Sequence, residues 1–260
     1  MTQKLLITDF DGVLCDSVQE CLLVTYNAYK RLHTPSFQRV LDLEKIEPAK
    51  RAQFRKLRPY LKGAEDMIPI FLAVEERVPI KNQLEFDRWR DKHQAQLSTY
   101  QQAFYAERDY LQRHAKALWL SLNPLFDGIG EALRQQNRFE SVRILTTKRQ
   151  QDVLEIFHDQ GISFPADQII YSQAAEKPKK LLEILRTNGA VPSESVYIED
   201  QIDFLVEAKK HGIGSYLVAW GYVSEEQNTL ATQHGIPMIE IAEFQKVLRS
   251  FASCWQLPAL

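Results

Sequence analysis

The sequence predicts an α/β protein: a Rossmann-like core with a parallel central sheet, and an all-helical domain inserted after the first strand. Three observations carry that expectation. Short β-branched apolar runs alternate with helical patterns; the interval between the first and second runs is far too long for one crossover; and polar residues gather where the runs end.

The runs are "KLLITDF" (4–10), "VRILTT" (142–147), "QIIYS" (168–172), "SVYIED" (195–200) and "GSYLVAW" (214–220). They read as strands buried on both faces rather than as alternating surface strands. Between them lie "QDVLEIFHDQG" (151–161), "KKLLEILRTNG" (179–189) and "FLVEAKKHG" (204–212), each closed by a glycine where a helix ends. Strands alternating with helices of this length make a sheet covered on both sides.

From Ser17 to Ser121 the pattern is helical, with Pro35, Pro48, Pro59, Pro69 and Pro79 marking loops or helix starts. The expected division is therefore a core of residues 1–16 and 122–260 and a helical insert of residues 17–121. Ser17 with Glu20 forms a capping-box pattern at the start of the insert. "SLNPLFDG" (121–128) reads as the linker back, before the helix "IGEALRQQ".

In the 260 residues, 45% hydrophobic and 25% charged, the net charge is −2, which favours neither a nucleic-acid nor a membrane partner. The insert holds 18 basic and 13 acidic residues, a net of +5; the remainder holds 14 and 21, a net of −7. Such an asymmetry suits an anionic substrate at a metal. The longest apolar stretch, "MIPIFLAV" (67–74), is much shorter than the roughly 20 residues of a membrane span. No signal-peptide layout opens the chain, and Cys15, Cys21 and Cys254 form no CxxC. A cytoplasmic protein with reduced thiols is expected.

Asp9 and Asp11 lie two apart at the end of the first run, so an extended backbone points both the same way. Thr146 and Thr147 close the second run, Lys177 follows the third, and Glu199 with Asp200 closes the fourth. Ligands of open α/β sheets bind beyond the carboxyl ends of the strands, so these groups converge on one site. Lys148 and Arg149 are expected on the surface, and Asp16 is expected to bond backbone near a helix start.

These residues resemble the haloacid dehalogenase superfamily, in its helical-cap branch of phosphoglycolate phosphatase and β-phosphoglucomutase type. The resemblance rests on "DFDGVL" with "CDS", on "ILTTK", on "EKPKKLLEIL" and on "VYIED" followed by "EAKKHGI", four motifs in the family's order. It implies Asp9 as nucleophile, Asp11 as general acid and base, Thr146 as a donor to a phosphoryl oxygen and Lys177 as the neutralising cation. It further implies Mg²⁺ held by Asp9, the Asp11 carbonyl and Asp200, with Glu199 nearby, and a small phosphorylated metabolite as substrate. Thr147 is a further candidate for binding that substrate.

The "ED" pair resembles β-phosphoglucomutase relatives, whereas phosphoglycolate phosphatases usually carry Gly-Asp with a later acid where Phe204 stands here; Asp203 fits neither register. Asp11 argues against dehalogenation and phosphonoacetaldehyde hydrolysis, which do without it. A Mg²⁺-dependent phosphatase working through an aspartyl phosphate is the leading expectation. A sugar-phosphate phosphomutase and a non-catalytic binding or regulatory protein are the alternatives. In "KRAQFRKLRPYLKG" (50–63), Phe54, Leu57 and Leu61 are expected to face inward and Arg51, Arg55 and Arg58 elsewhere. Pro59 biases Arg58 toward an extended loop from which it could bind a distal anionic group of the substrate.

Overall fold

The computed structural model describes residues 3–34, 36–136 and 138–252; Pro35 and Cys254 lie outside them. Six strands form one parallel sheet: β1 (Leu6–Thr8), β2 (Val142–Thr146), β3 (Ile169–Tyr171), β4 (Val196–Glu199), β5 (Gly214–Val218) and β6 (Met238–Ile239). Their order is β3-β2-β1-β4-β5-β6, which places β1 at the centre between β2 and β4. Leu6 pairs in register with both Val142 and Val196.

The runs are apolar because both faces of the sheet are covered. Leu5, Ile7, Leu145, Tyr197 and Leu217 are all buried, packed with Leu181 and Leu205 from the flanking helices. The helices that follow β2, β3 and β4 span Gln150–Asp159, Lys177–Thr187 and Ile202–Lys210. The chain leaves each through the glycine that the sequence pattern marks, Gly161, Gly189 or Gly212, in left-handed backbone. The sixth strand escaped the sequence reading. It is two residues long and Met238 is exposed, so it carries no buried apolar run.

The chain divides into two compact units, Met1–Asp16 with Leu125–Leu260, and Ser17–Pro124. The second junction lies three residues beyond the expected one. The Asn123 side chain donates to the Trp119 carbonyl, which extends the end of the helical unit past Ser121. The core resumes at Leu125, bridged to Cys15, and at Phe126, whose amide donates to the Leu14 carbonyl.

The helical unit contains helices Val18–His33, Pro48–Leu57, Met67–Glu75, Gln83–Asp91, Leu97–His114 and Lys116–Ser121. The apolar "MIPIFLAV" is the buried helix of this unit, and among the described residues no helix is long and apolar enough to cross a membrane. The capping box does not form. Ser17 makes no side-chain cap, and Glu20 does not reach back to the Ser17 amide because it is buried and both its oxygens receive the Arg108 guanidinium, at 2.7 and 2.8 Å. A buried carboxylate gains more from a bidentate guanidinium than from one backbone N–H.

Phe54, Leu57 and Leu61 are buried, Arg51 pairs with Glu44, and Arg55 is exposed. Arg58 corrects the expectation made for it. It is helical (φ −52°, ψ −36°), opens the 3-10 turn Arg58–Tyr60, is only 7% exposed, and donates to the Leu61 carbonyl. Burial of Leu57, Pro59 and Tyr60, with the Tyr60 hydroxyl on the Lys81 carbonyl, overrides the local bias of a residue before proline. The premise for a loop-borne arginine reaching a substrate therefore does not hold.

Candidate active site

The site is assembled at the carboxyl ends of β1, β2 and β4. Beyond β1 the Asp9 amide still donates to the Ile198 carbonyl, after which the chain folds into a tight turn. In that turn Gly12 donates to Cys15, and Leu14 and Cys15 both donate to Phe10. Gly12 has φ 85°, and a Cβ there would strike the Asp200 carboxylate and the Tyr222 ring. A Cβ on Gly221 would strike the Gly12 carbonyl. Two glycines thus let the turn after β1 and the loop after β5 close to backbone contact, with the Asp200 side chain against both. Trp220 Nε1 donates to the Val13 carbonyl and the Tyr222 hydroxyl to Asp16 Oδ1, 2.8 Å, tying that loop to the turn. Asp16 is thus held by a tyrosine side chain.

Lys177 begins its helix and is buried. Its ammonium lies 3.0 Å from Asp9 Oδ2 and 3.0 Å from Glu199 Oε2. The same Glu199 oxygen accepts from the Tyr197 hydroxyl at 2.6 Å. Asp9, Glu199 and Asp200 each bring a carboxylate oxygen within 4.8 Å of the others. Asp9 Oδ1 and Glu199 Oε1 are buried and accept no hydrogen bond from the described residues. Thr146 is buried, and its Oγ1 accepts from the Lys148 amide; Thr147 is half-buried.

Lys148 contradicts the surface position expected for it. Its side chain is fully buried and its ammonium lies 3.1 Å from Asp11 Oδ1. A buried ammonium needs an oxygen to accept its N–H groups, and the turn after β2 is short enough to bring Lys148 to Asp11. Arg149 is half-buried and paired with Asp152. Asp203 is exposed in the first turn of its helix.

Burial raises the Asp9 pKa from 3.8 to about 7; Glu199 and, to a lesser extent, Asp11 add to the rise, and Lys177 opposes it. Burial also raises Glu199, with Asp200 reinforcing the effect. For Lys177 burial acts downward, but Asp9 and Glu199 outweigh it and hold the ammonium above the ordinary lysine value. Tyr197, buried against Glu199, is pushed well above 10.0 and stays a donor.

Four carboxylates, Asp9, Asp11, Glu199 and Asp200, face two ammonium groups, Lys148 and Lys177, so 2 − 4 leaves a formal −2. Buried like charges at this spacing are relieved by protons, as the raised Asp9 and Glu199 show, or by a cation, and oxygen donors alone suit a hard divalent one. The buried Asp9 and Glu199 oxygens without donors fit that role.

Sequence reading found Asp9, Asp11, Thr146, Lys177, Glu199 and Asp200, and the structure gathers all six at these strand ends. Arg58 belongs to the helical unit and is buried within it. Lys148, Tyr197, Gly221 and Tyr222 were missed. Tyr197 had a signal, since the two-residue period of a strand puts it on the face of Glu199. Lys148 had a weaker one, two residues past Thr146.

Fold and site together define a parallel α/β protein with an acidic centre at its strand ends. A family model described as haloacid dehalogenase-like hydrolase matches residues 6–218, and the chain belongs to that family. A hydrolase of the same family from Streptococcus pneumoniae is 19% identical with a TM-score of 0.57, covering 96% of this chain and 98% of its own. A protein described as a predicted phosphatase from Clostridium acetobutylicum is 17% identical, with a TM-score of 0.54 and coverages of 96% and 100%. One from Haemophilus somnus, described as a predicted phosphoglycolate phosphatase, is 14% identical, with a TM-score of 0.57 and coverages of 95% and 98%. At such identities the likeness is one of fold. No curated protein matches the chain.

Proposed function

We propose that the protein is a Mg²⁺-dependent phosphatase of small phosphorylated metabolites, working in the cytoplasm through an aspartyl phosphate. The observation that carries this reading is Asp9: a buried carboxylate held by Lys177 through one oxygen while the other has no donor among the described residues. Such a group is an oriented nucleophile.

Asp9 attacks phosphorus, and the bond from phosphorus to the ester oxygen breaks. Asp11 gives its proton to the departing oxygen. Asp11, now a carboxylate, takes a proton from water as that water attacks phosphorus and releases Asp9. Thr146 donates its hydroxyl proton to a phosphoryl oxygen, and Lys177 offsets the charge that gathers around Asp9. Asp9, Asp200 and the Asp11 carbonyl, with Glu199 beside them, are the groups that would hold Mg²⁺. When bound, the ion supplies the positive charge that relieves the carboxylates and polarises the phosphoryl group.

The test is a panel of phosphate esters assayed with Mg²⁺ for wild type and Asp9→Asn, with products identified. Release of inorganic phosphate by wild type, lowered about 10³-fold or more by the substitution, is expected. Isomerised sugar phosphate in place of free phosphate would make the enzyme a phosphomutase. Equal activity, or equal inactivity, of the two proteins across the panel would overturn the catalytic reading.

A further inference from the structure

The phosphatase reading assigns Asp11 a proton to deliver and a proton to collect, but a carboxyl group on an unrestrained side chain can do neither reliably. Its two oxygens exchange by rotation, and proton transfer needs the carrying oxygen within hydrogen-bond reach of the acceptor. The geometry that restrains Asp11 comes from β2. Thr146 Oγ1 accepts from the Lys148 amide at 3.1 Å, which pins the backbone two residues past the strand. The Lys148 side chain then runs inward, with its ammonium 5.8 Å from the Phe10 ring centre and 3.1 Å from Asp11 Oδ1.

The two partners are buried unequally. The Lys148 side chain has no exposed surface, whereas that of Asp11 keeps 14%. A lysine so enclosed is not a surface receptor for anions, and the cation lies behind an acid that remains open to solvent. An oxygen receiving an ammonium N–H does not also carry the acidic proton, so the proton of Asp11 belongs on Oδ2.

We infer that Lys148 is a positioning residue for leaving-group protonation, fixing Asp11 through Oδ1 so that Oδ2 faces the ester oxygen, and that the substrates needing it are alkyl phosphates. When the phosphorus–oxygen bond to the alcohol breaks and Asp9 takes the phosphoryl group, the proton on Oδ2 passes to the alkoxide. Asp11 is left as a carboxylate, and the Lys148 ammonium already in place offsets that charge without rearrangement. An alkoxide is too basic to depart unprotonated, whereas a nitrophenolate departs without a proton. Lys148 therefore matters for the first and little for the second.

The inference rests on the phosphatase reading, and the experiment separates the two. Lys148→Met and Lys148→Gln are compared with wild type on p-nitrophenyl phosphate and on the most rapidly hydrolysed alkyl phosphate of the panel, reading kcat/KM for both esters from the same sample. The expected result is a loss of about thirtyfold on the alkyl ester against about threefold or less on the aryl ester. Because both rates come from one sample, a smaller folded fraction cancels from their ratio. A merely structural lysine would lower both rates together, and an unchanged ratio in either variant overturns the inference while leaving the phosphatase reading intact. A wild type that hydrolyses neither ester overturns both.

Discussion

Two buried sets of opposite charges, one in each unit, look alike in composition and differ in how they are satisfied. In the helical unit Glu20 and Arg108 form a closed pair: both carboxylate oxygens receive guanidinium N–H groups, and the Arg108 guanidinium rests over Phe104, 4.6 Å from the ring centre. In the core, four carboxylates face two ammonium groups, Asp9 Oδ1 and Glu199 Oε1 have no donor among the described residues, and Asp9 is pushed up to about 7. The first arrangement is complete and holds helix Val18–His33 to helix Leu97–His114. The second leaves acceptors open to a cation. Burial and charge alone do not mark a functional site; the two sets differ in whether their carboxylate oxygens are filled.

Arg108→Met breaks the complete pair and leaves the Glu20 carboxylate buried without its guanidinium. It should cost about 3–5 kcal/mol of stability in denaturant unfolding. Glu20→Leu combined with Arg108→Met should recover most of that loss. A single substitution costing well under 1 kcal/mol would erase the contrast between the two sets.

Gly221→Ala should act on the core alone. Its Cβ would meet the Gly12 carbonyl and lie 3.1 Å from the Asp200 Cβ, forcing the loop after β5 away from the turn after β1 and from Asp200. A shift of that kind in reacting groups lowers kcat/KM by about a hundredfold. An alanine variant with wild-type kinetics would show that the close approach of the two backbones does not position the site.

The smallest effect is a pH dependence. Asp9 ionises at 3.8 in an unfolded chain and at about 7 in the metal-free fold, so between those values the folded state holds the extra proton. Metal-free stability should therefore fall as pH rises from about 4 through 7, the reverse of an ordinary salt-bridged aspartate. Mg²⁺ held as proposed would bind the ionised form, so it should raise the melting temperature by a few degrees more at pH 8 than at pH 5.5. An equal rise at both values would remove Asp9 from the metal set.

Much of this was legible in the sequence, and for a physical reason. A strand buried on both faces must be continuously apolar, so the ends of β1, β2 and β4 announce themselves, and polar residues at those ends stand out against them. Gly161, Gly189 and Gly212 likewise stand where a left-handed residue ends a helix. What was not legible depended on partners distant in sequence. Lys148 reads as a surface charge until Asp11, 137 residues earlier, is known to face it. Glu20 reads as half of a capping box until Arg108, 88 residues later, takes both its oxygens. Arg58 reads as a loop residue because the local cost before proline is visible and the burial of its neighbours is not. Local rules fail here where tertiary partners outweigh them.

The central claim, that the unfilled acceptors of the core await a divalent cation, is tested most directly by calorimetric titration of substrate-free protein with Mg²⁺. One site per chain is expected for wild type and for Arg108→Met, and its loss in Asp200→Asn. Equal Mg²⁺ binding by wild type and Asp200→Asn would contradict the account.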